Sequence, residues 1–173
     1  MVAHVTLITG GQRSGKSRYA QTLAEEYSAS PVYVATARHW DAEFTQRIQR
    51  HQRDRGDVWT TIEQEKHLGA LNLEGKTVLL DCVTLWLNNL FFDNDADVER
   101  SLNQAKEEWA QFTAHSFRLF VVSNELGMGV IPENQLSRRF ADLQGWMNQF
   151  IAQQANEVVL MVSGIPVEVK RES

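Results

Sequence analysis

Eight residues, GGQRSGKS from Gly10 to Ser17, fit the pattern G-x-x-x-x-G-K-[ST] and unite three things that phosphate chemistry needs. Glycines let successive backbone amides of Gly10, Gly11, Gln12, Arg13, Ser14 and Gly15 turn inward around phosphate oxygens. The helix that follows presents its positive end to the same anion. Lys16 would neutralise the β and γ phosphates of a nucleoside triphosphate, and the Ser17 hydroxyl would ligate Mg²⁺. The bland alternative is a Gly-rich turn that matches by chance.

A triphosphate site of this kind also wants a carboxylate at the end of a neighbouring buried strand. Asp81, which ends TVLLD, is the candidate, as a metal ligand, as the N-cap of the segment after it, or as both. A second cluster is RIQRHQRDR, Arg47 to Arg55, which places four arginines and one histidine in a chain of net charge −5. His51 shares a helical face with Phe44 and Ile48, so periodicity alone allows a packed, structural histidine. It equally allows a nucleophile, because much of a neutral imidazole is unprotonated near pH 7. Arg47 and Arg50 have the weaker claim to a specific task. An RNA-binding helix is a further reading, but no aromatic stacking platform accompanies it.

These groups must be held by the elements around them. Apolar β-branched runs alternate with segments of helical period, the pattern of an α/β fold with a mainly parallel sheet flanked by helices. Val5–Thr9 is the first predicted strand, and a helix begins near Lys16 and is stopped by Pro31. Pro31–Ala37 is the second strand, ending in Ala35, Thr36 and Ala37, small residues that allow a nucleotide close to the backbone. Asp41 is a plausible N-cap for a helix through Arg53. Val58–Glu63 has strand propensity, and Thr77–Asp81 and Arg118–Asn124 read as buried strands. Val98, Leu102, Ala105, Trp109 and Phe112 predict one amphipathic helix. Leu136, Phe140, Leu143, Met147, Phe150 and Ile151 predict another. Glu157–Gly164 closes the sheet, with Val167–Val169 as a small edge strand. ELGMGVIP between them must be a loop. The five tryptophans are expected in the core or at an interface, the core being preferred.

With 173 residues, 43% of them hydrophobic, one domain spanning 1–173 has a full core, and no linker or repeat divides it. The acidic balance argues against nucleic acid as a partner. No run of 18 apolar residues predicts a membrane span. The N-terminus lacks a signal-peptide pattern, and the single cysteine, Cys82, suits a reducing cytoplasm.

GGQRSGKS, the YVATA strand, RIQRH, LLDCVT and above all SNELGMGVIPEN resemble, in the same order, the bifunctional adenosylcobinamide kinase / adenosylcobinamide-phosphate guanylyltransferase family of cobalamin biosynthesis. The resemblance runs from about residue 5 to about residue 169. It implies a RecA-like P-loop NTPase fold, a homotrimer, and GTP or ATP with Mg²⁺ as phosphoryl donor to adenosylcobinamide. It further implies transfer of GMP from GTP to adenosylcobinamide-phosphate through a guanylylated histidine, which here is His51. Gln52, Arg53, Asp54 and Arg55 match the family's nucleotide-binding stretch. Glu63 matches a nucleotide contact, and its carboxylate suits the two guanine donors, N1–H and N2–H₂, although an exposed strand-end glutamate needs no ligand.

The glycines of ELGMGVIP suit a loop that shapes itself around a bulky corrinoid, with Asn124 or Glu125 orienting the acceptor hydroxyl. The same glycines fit a plain turn. Two rivals remain at this stage: a P-loop kinase of another small molecule in which His51 is structural, and a nucleotide-dependent binding module.

Overall fold

A computed structural model describes residues 2–38 and 56–172. Seven strands form one sheet in the order β3-β2-β4-β5-β1-β6-β7. They are β1 (His4–Gly10), β2 (Val32–Ala35), β3 (Thr60–Glu63), β4 (Thr77–Asp81), β5 (Arg118–Asn124), β6 (Glu157–Val162) and β7 (Ile165–Arg171). Every neighbouring pair is parallel except β6 with β7, the antiparallel edge. The expected α/β class with a mainly parallel sheet flanked by helices is therefore observed.

The unbroken apolar runs have a physical reason, because this sheet is covered on both faces. On one face α1 (Lys16–Tyr27) lays Ala20 and Ala24 against Ile8, Leu79 and Phe120. The other face carries α2 (Val83–Asp93), α3 (Val98–Phe112) and α4 (Gln135–Gln154), whose apolar stripes meet Leu7, Leu80 and Val121. Trp86 and Trp109 are fully buried there. Side chains of this size contribute roughly 1.5–3 kcal/mol each on burial.

Helix ends follow local chemistry. Asp97 caps α3 by accepting from Arg100 N at 2.9 Å, and Asn134 caps α4 by accepting from Leu136 N at 2.7 Å.

Several boundaries differ from the sequence reading. The first helix ends at Tyr27, before Pro31, because Ser28 turns extended while its N–H still bonds Ala24 O. Pro31 precedes β2. The third strand starts at Thr60, with Val58 and Trp59 outside it. The edge strand is longer than Val167–Val169, since pairing with β6 extends from Ile165 to Arg171. Trp146 is not in the core: it stands beside the buried stripe of Leu143, Met147 and Ile151 and is half-exposed. Trp59 is partly covered and donates from Nε1 to Glu25 Oε1 at 2.8 Å. Trp40 and the helix expected from Asp41 lie outside the described residues.

Candidate active site

The phosphate loop is built where β1 runs out. Gly10 adopts φ +150°, and a Cβ there would stand 2.7 Å from Met161 O and 2.8 Å from Ser14 Oγ. Gly15 adopts φ +92°, in the left-handed region, one residue before α1 begins. These two positions require glycine for different reasons, one steric and one conformational. Neighbouring strands then pin the loop. Glu125 N donates to Gly10 O at 2.9 Å, and Gly164 N, in the β6–β7 turn, donates to Ser14 O at 3.0 Å.

Lys16 is 6% exposed, and its ammonium donates to Gly11 O at 2.5 Å and to Ser14 Oγ at 3.4 Å. Burial pushes its pKa down, whereas Cys82 and Asp81 push it up. Of those two, Asp81 is the charge that counts. Burial raises the Cys82 thiol to about 12, so it stays neutral and unreactive near pH 7.

Asp81 ends β4, and one of its carboxylate oxygens, Oδ2, accepts from the Tyr33 hydroxyl at 2.8 Å. It does not cap the following helix, whose N-cap is Cys82 with no side-chain cap bond. The capping alternative for Asp81 therefore falls away. Strand order separates Asp81 from the loop: β5 lies between β4 and β1, so the two strand ends are about 10 Å apart. Asn124, which ends β5 and pairs in register with Gly10, sits between them.

Gln12, Arg13, Ser14, Gly15, Lys16 and Ser17 line one cavity of about 600 Å³ together with Asp81, Asn124 and Tyr33. The cavity thus opens at the carboxyl edge of this α/β sheet, the edge where the fold class leads one to expect a ligand. Ala35 and Ala37 line the cavity too, but Thr36 does not. Alternation turns Thr36 away. It is fully buried, its Oγ1 donating to Cys82 O at 2.7 Å and accepting from Cys82 N at 2.9 Å. Glu125 is also off the cavity, with Oε1 accepting from Gly127 N at 2.7 Å, so Asn124 has the better position for meeting an acceptor.

A buried amide cluster fixes the backbone of Asn124. Asn148 Nδ2 donates to Asn124 O at 3.0 Å, while its Oδ1 accepts from Ser123 Oγ at 2.6 Å and Gln144 Nε2 at 3.0 Å. On the other side Asn124 N donates to Thr84 Oγ1 at 3.1 Å.

Glu63 is exposed and does not line the cavity, yet it belongs to the same edge. Register places Glu63 beside Ala35, and Ala35 beside Asp81. His51, Gln52, Arg53, Asp54 and Arg55 lie outside the described residues, as do Arg47 and Arg50. The chain on both sides of that stretch is tied to α2. Asn89 Nδ2 donates to Thr36 O at 2.8 Å and to Glu65 O at 3.1 Å. Arg38 reaches Glu65 at 2.8 Å and Asp93 at 2.9 Å, and Lys66 reaches Asp93 at 2.5 Å. Hydrogen bonds from Arg38 and Lys66 hold the Asp93 carboxyl well below the usual range. Partly exposed pairs of this kind contribute modestly each, but here they converge on one carboxylate.

Sequence reasoning missed several residues that line the cavity, Arg18, Leu85 and Val122 among them, and the one that bonds a candidate metal ligand is Tyr33. Its signal was weak: a tyrosine inside a fully buried strand needs a partner for its hydroxyl.

A family model described as cobinamide kinase / cobinamide phosphate guanyltransferase matches residues 6–169. The chain belongs to the cobinamide kinase / cobinamide phosphate guanyltransferase family. It is 40% identical to the bifunctional adenosylcobalamin biosynthesis protein CobU of Escherichia coli (strain K12), over 95% of this chain and 98% of that protein. It is likewise 40% identical to the bifunctional adenosylcobalamin biosynthesis protein CobP of Pseudomonas aeruginosa, over 96% of this chain and 97% of that protein. Among solved structures, the flagellar accessory protein FlaH of Methanocaldococcus jannaschii covers 98% of this chain with 79% of its own, at 14% identity and a TM-score of 0.47. The family match spans both the phosphate loop and the stretch holding His51, so this cobinamide kinase / guanyltransferase chain carries the two clusters together.

Proposed function

We propose that the chain phosphorylates adenosylcobinamide and then guanylylates the product. In the first step the acceptor hydroxyl oxygen bonds to the γ-phosphorus of GTP or ATP. The bridging P–O bond breaks, the nucleoside diphosphate leaves, and the hydroxyl proton passes to solvent. In the second step an imidazole nitrogen of His51 attacks the α-phosphorus of GTP and pyrophosphate leaves. A phosphate oxygen of adenosylcobinamide-phosphate then displaces the imidazole, giving adenosylcobinamide-GDP. The observation that carries this reading is the convergence of Lys16, Ser17, Asp81 and Asn124 on one cavity in a chain of this family.

Each described residue has a task in the first step. The loop amides and Lys16 hold the triphosphate and offset charge that grows on the leaving oxygen. Asn124, which ends the strand between β4 and β1 and lines the same cavity as Lys16 and Asp81, orients the acceptor. Tyr33 keeps the Asp81 carboxylate turned toward the cavity, leaving one oxygen for a ligand. The Ser17 hydroxyl and the Asp81 carboxylate are the hard oxygen donors that Mg²⁺ takes alongside phosphate oxygens, and these two would hold it. Mg²⁺ bound there would neutralise charge on the β and γ phosphates. Gln52, Arg53, Asp54 and Arg55 would hold the triphosphate for the second step. The homotrimer belongs to the same proposal, with sedimentation as its check. So does a cytoplasmic setting, where buried Cys82 stays reduced; no helix among the described residues is long and apolar enough to cross a membrane.

Supplied with adenosylcobinamide, GTP and Mg²⁺, the protein is expected to yield first a phosphorylated corrinoid and then adenosylcobinamide-GDP with pyrophosphate, resolved by liquid chromatography and mass spectrometry. Nucleotide hydrolysis with the corrinoid unchanged would overturn the reading. Phosphorylation without any GDP-linked product would reduce it to a kinase.

Base choice makes a second, local test. Glu63 stands at the carboxyl edge of the sheet, two strands from β4, and its carboxylate can accept both guanine donors. Losing that match costs about 1–3 kcal/mol, so Glu63→Gln is expected to lower the preference for GTP over ATP in guanylylation by about tenfold. Unchanged discrimination would remove Glu63 from base recognition.

A further inference from the structure

A second cavity, of about 450 Å³, lies beside the first. Leu126 lines both, so the two share a wall. The second is formed by the loop after β5 and the first turns of α4. That loop is anchored at both ends, which makes it a built surface. Glu125 Oε1 takes the Gly127 N–H at the start, and Arg138 at the end donates to Pro132 O at 2.9 Å and Glu133 O at 2.5 Å. Between the anchors the loop shows apolar side chains to solvent: Met128 is 77% exposed, Val130 94% and Ile131 76%. Apolar side chains exposed together on one short loop offer area that a ligand can cover. Two charged groups of opposite sign border it, Arg139 and Asp142, and neither has a hydrogen-bond or ion-pair partner among the described residues.

We propose that this face is the corrinoid platform of the kinase reaction: the macrocycle rests on Val130 and Ile131 while the arm bearing the acceptor hydroxyl passes Leu126 into the nucleotide cavity. The inference rests on the functional reading above and adds where the acceptor binds. Three features select a corrinoid over other occupants. A phosphoryl acceptor must reach the γ-phosphate, and this cavity adjoins the one that would contain it. A cobinamide is too large for 450 Å³ to enclose, and an open apolar face next to a cavity suits a broad ring with a narrow arm. Its rim of primary carboxamides offers carbonyl oxygens to Arg139 and N–H groups to Asp142, so one residue of each sign satisfies it without excess charge.

The test separates this inference from the functional reading. Affinities for adenosylcobinamide and for GTP are measured by equilibrium dialysis, using the absorbance of each ligand. The proteins compared are wild type, a Val130→Asp/Ile131→Asp double variant, and a Val2→Asp control. Val2 is exposed and precedes β1, at the opposite edge of the sheet. Both altered loop side chains are solvent-facing, so the fold is expected to survive, and GTP affinity reports that it has. The double variant should bind the corrinoid at least about tenfold more weakly, because carboxylates replace apolar contact area. Its GTP affinity and both affinities of the control should be unchanged. Wild-type corrinoid affinity in the double variant would overturn the platform and leave the kinase reading standing. A wild-type protein that binds no corrinoid would overturn the kinase reading, and the platform with it.

Discussion

Lys16→Ala is expected to slow phosphorylation of adenosylcobinamide by about two to three orders of magnitude while the protein stays folded. The size follows from what the ammonium does. It is nearly buried at the mouth of the phosphate loop, and fixed donors aimed at developing charge in such a place are worth about 10²–10³ in rate. The survival of the fold follows from the same burial. Folding desolvates this cation and pushes its pKa down, so removing it relieves a penalty. What is lost are bonds to Gly11 O and Ser14 Oγ, within one short loop whose backbone stays pinned by Glu125 and Gly164. The measurement is a single-turnover phosphorylation rate beside a thermal melt. A folded variant that phosphorylates at the wild-type rate would remove Lys16 from the catalytic group.

Sequence and structure agree on the elements whose local signal is strong, though not on every boundary. GGQRSGKS between an apolar run and a helical period is a complete local description of a phosphate loop. TVLLD likewise announces a buried strand with one polar end. Strand order is different, since it depends on which runs pair across many residues, and no periodicity encodes it. Asp81 and the phosphate loop can be nominated separately from the sequence, but that Asn124 ends the strand between them follows only from β5 lying between β4 and β1. Tyr33 escaped notice for the same reason: its hydroxyl matters because β2 pairs with β4 and brings it to Asp81.

Thr36 and Trp146 show the opposite failure, where composition suggested more than geometry grants. Ala35–Ala37 look like one smooth contact surface, yet a strand and its extension alternate, and the middle side chain turns inward to bond Cys82. A tryptophan invites a core assignment by size alone, but position on the helix decides. Trp146 lies beside the stripe, not on it.

The cluster around His51 was legible as charge density and as a family pattern, and its test is chemical. Incubated with GTP and Mg²⁺, the protein is expected to gain the mass of one GMP moiety and to release pyrophosphate. The adduct should survive base and break down in acid, as a phosphoramidate does and a serine ester does not. His51→Ala should abolish it, because no other group is proposed to attack the α-phosphorus. Cys82, the sole cysteine, is buried with its thiol raised to about 12 and is a poor substitute nucleophile. Phosphorylation of adenosylcobinamide should persist near the wild-type rate in that variant. Lys16, Ser17, Asp81 and Asn124 line their cavity from α1, β4 and β5, elements that do not include residue 51. The two variants therefore make a crossed pair: Lys16→Ala loses phosphorylation, and His51→Ala loses the adduct. An adduct that forms equally well on His51→Ala protein would falsify the assignment. Loss of both activities in His51→Ala would show instead that the two steps share this histidine.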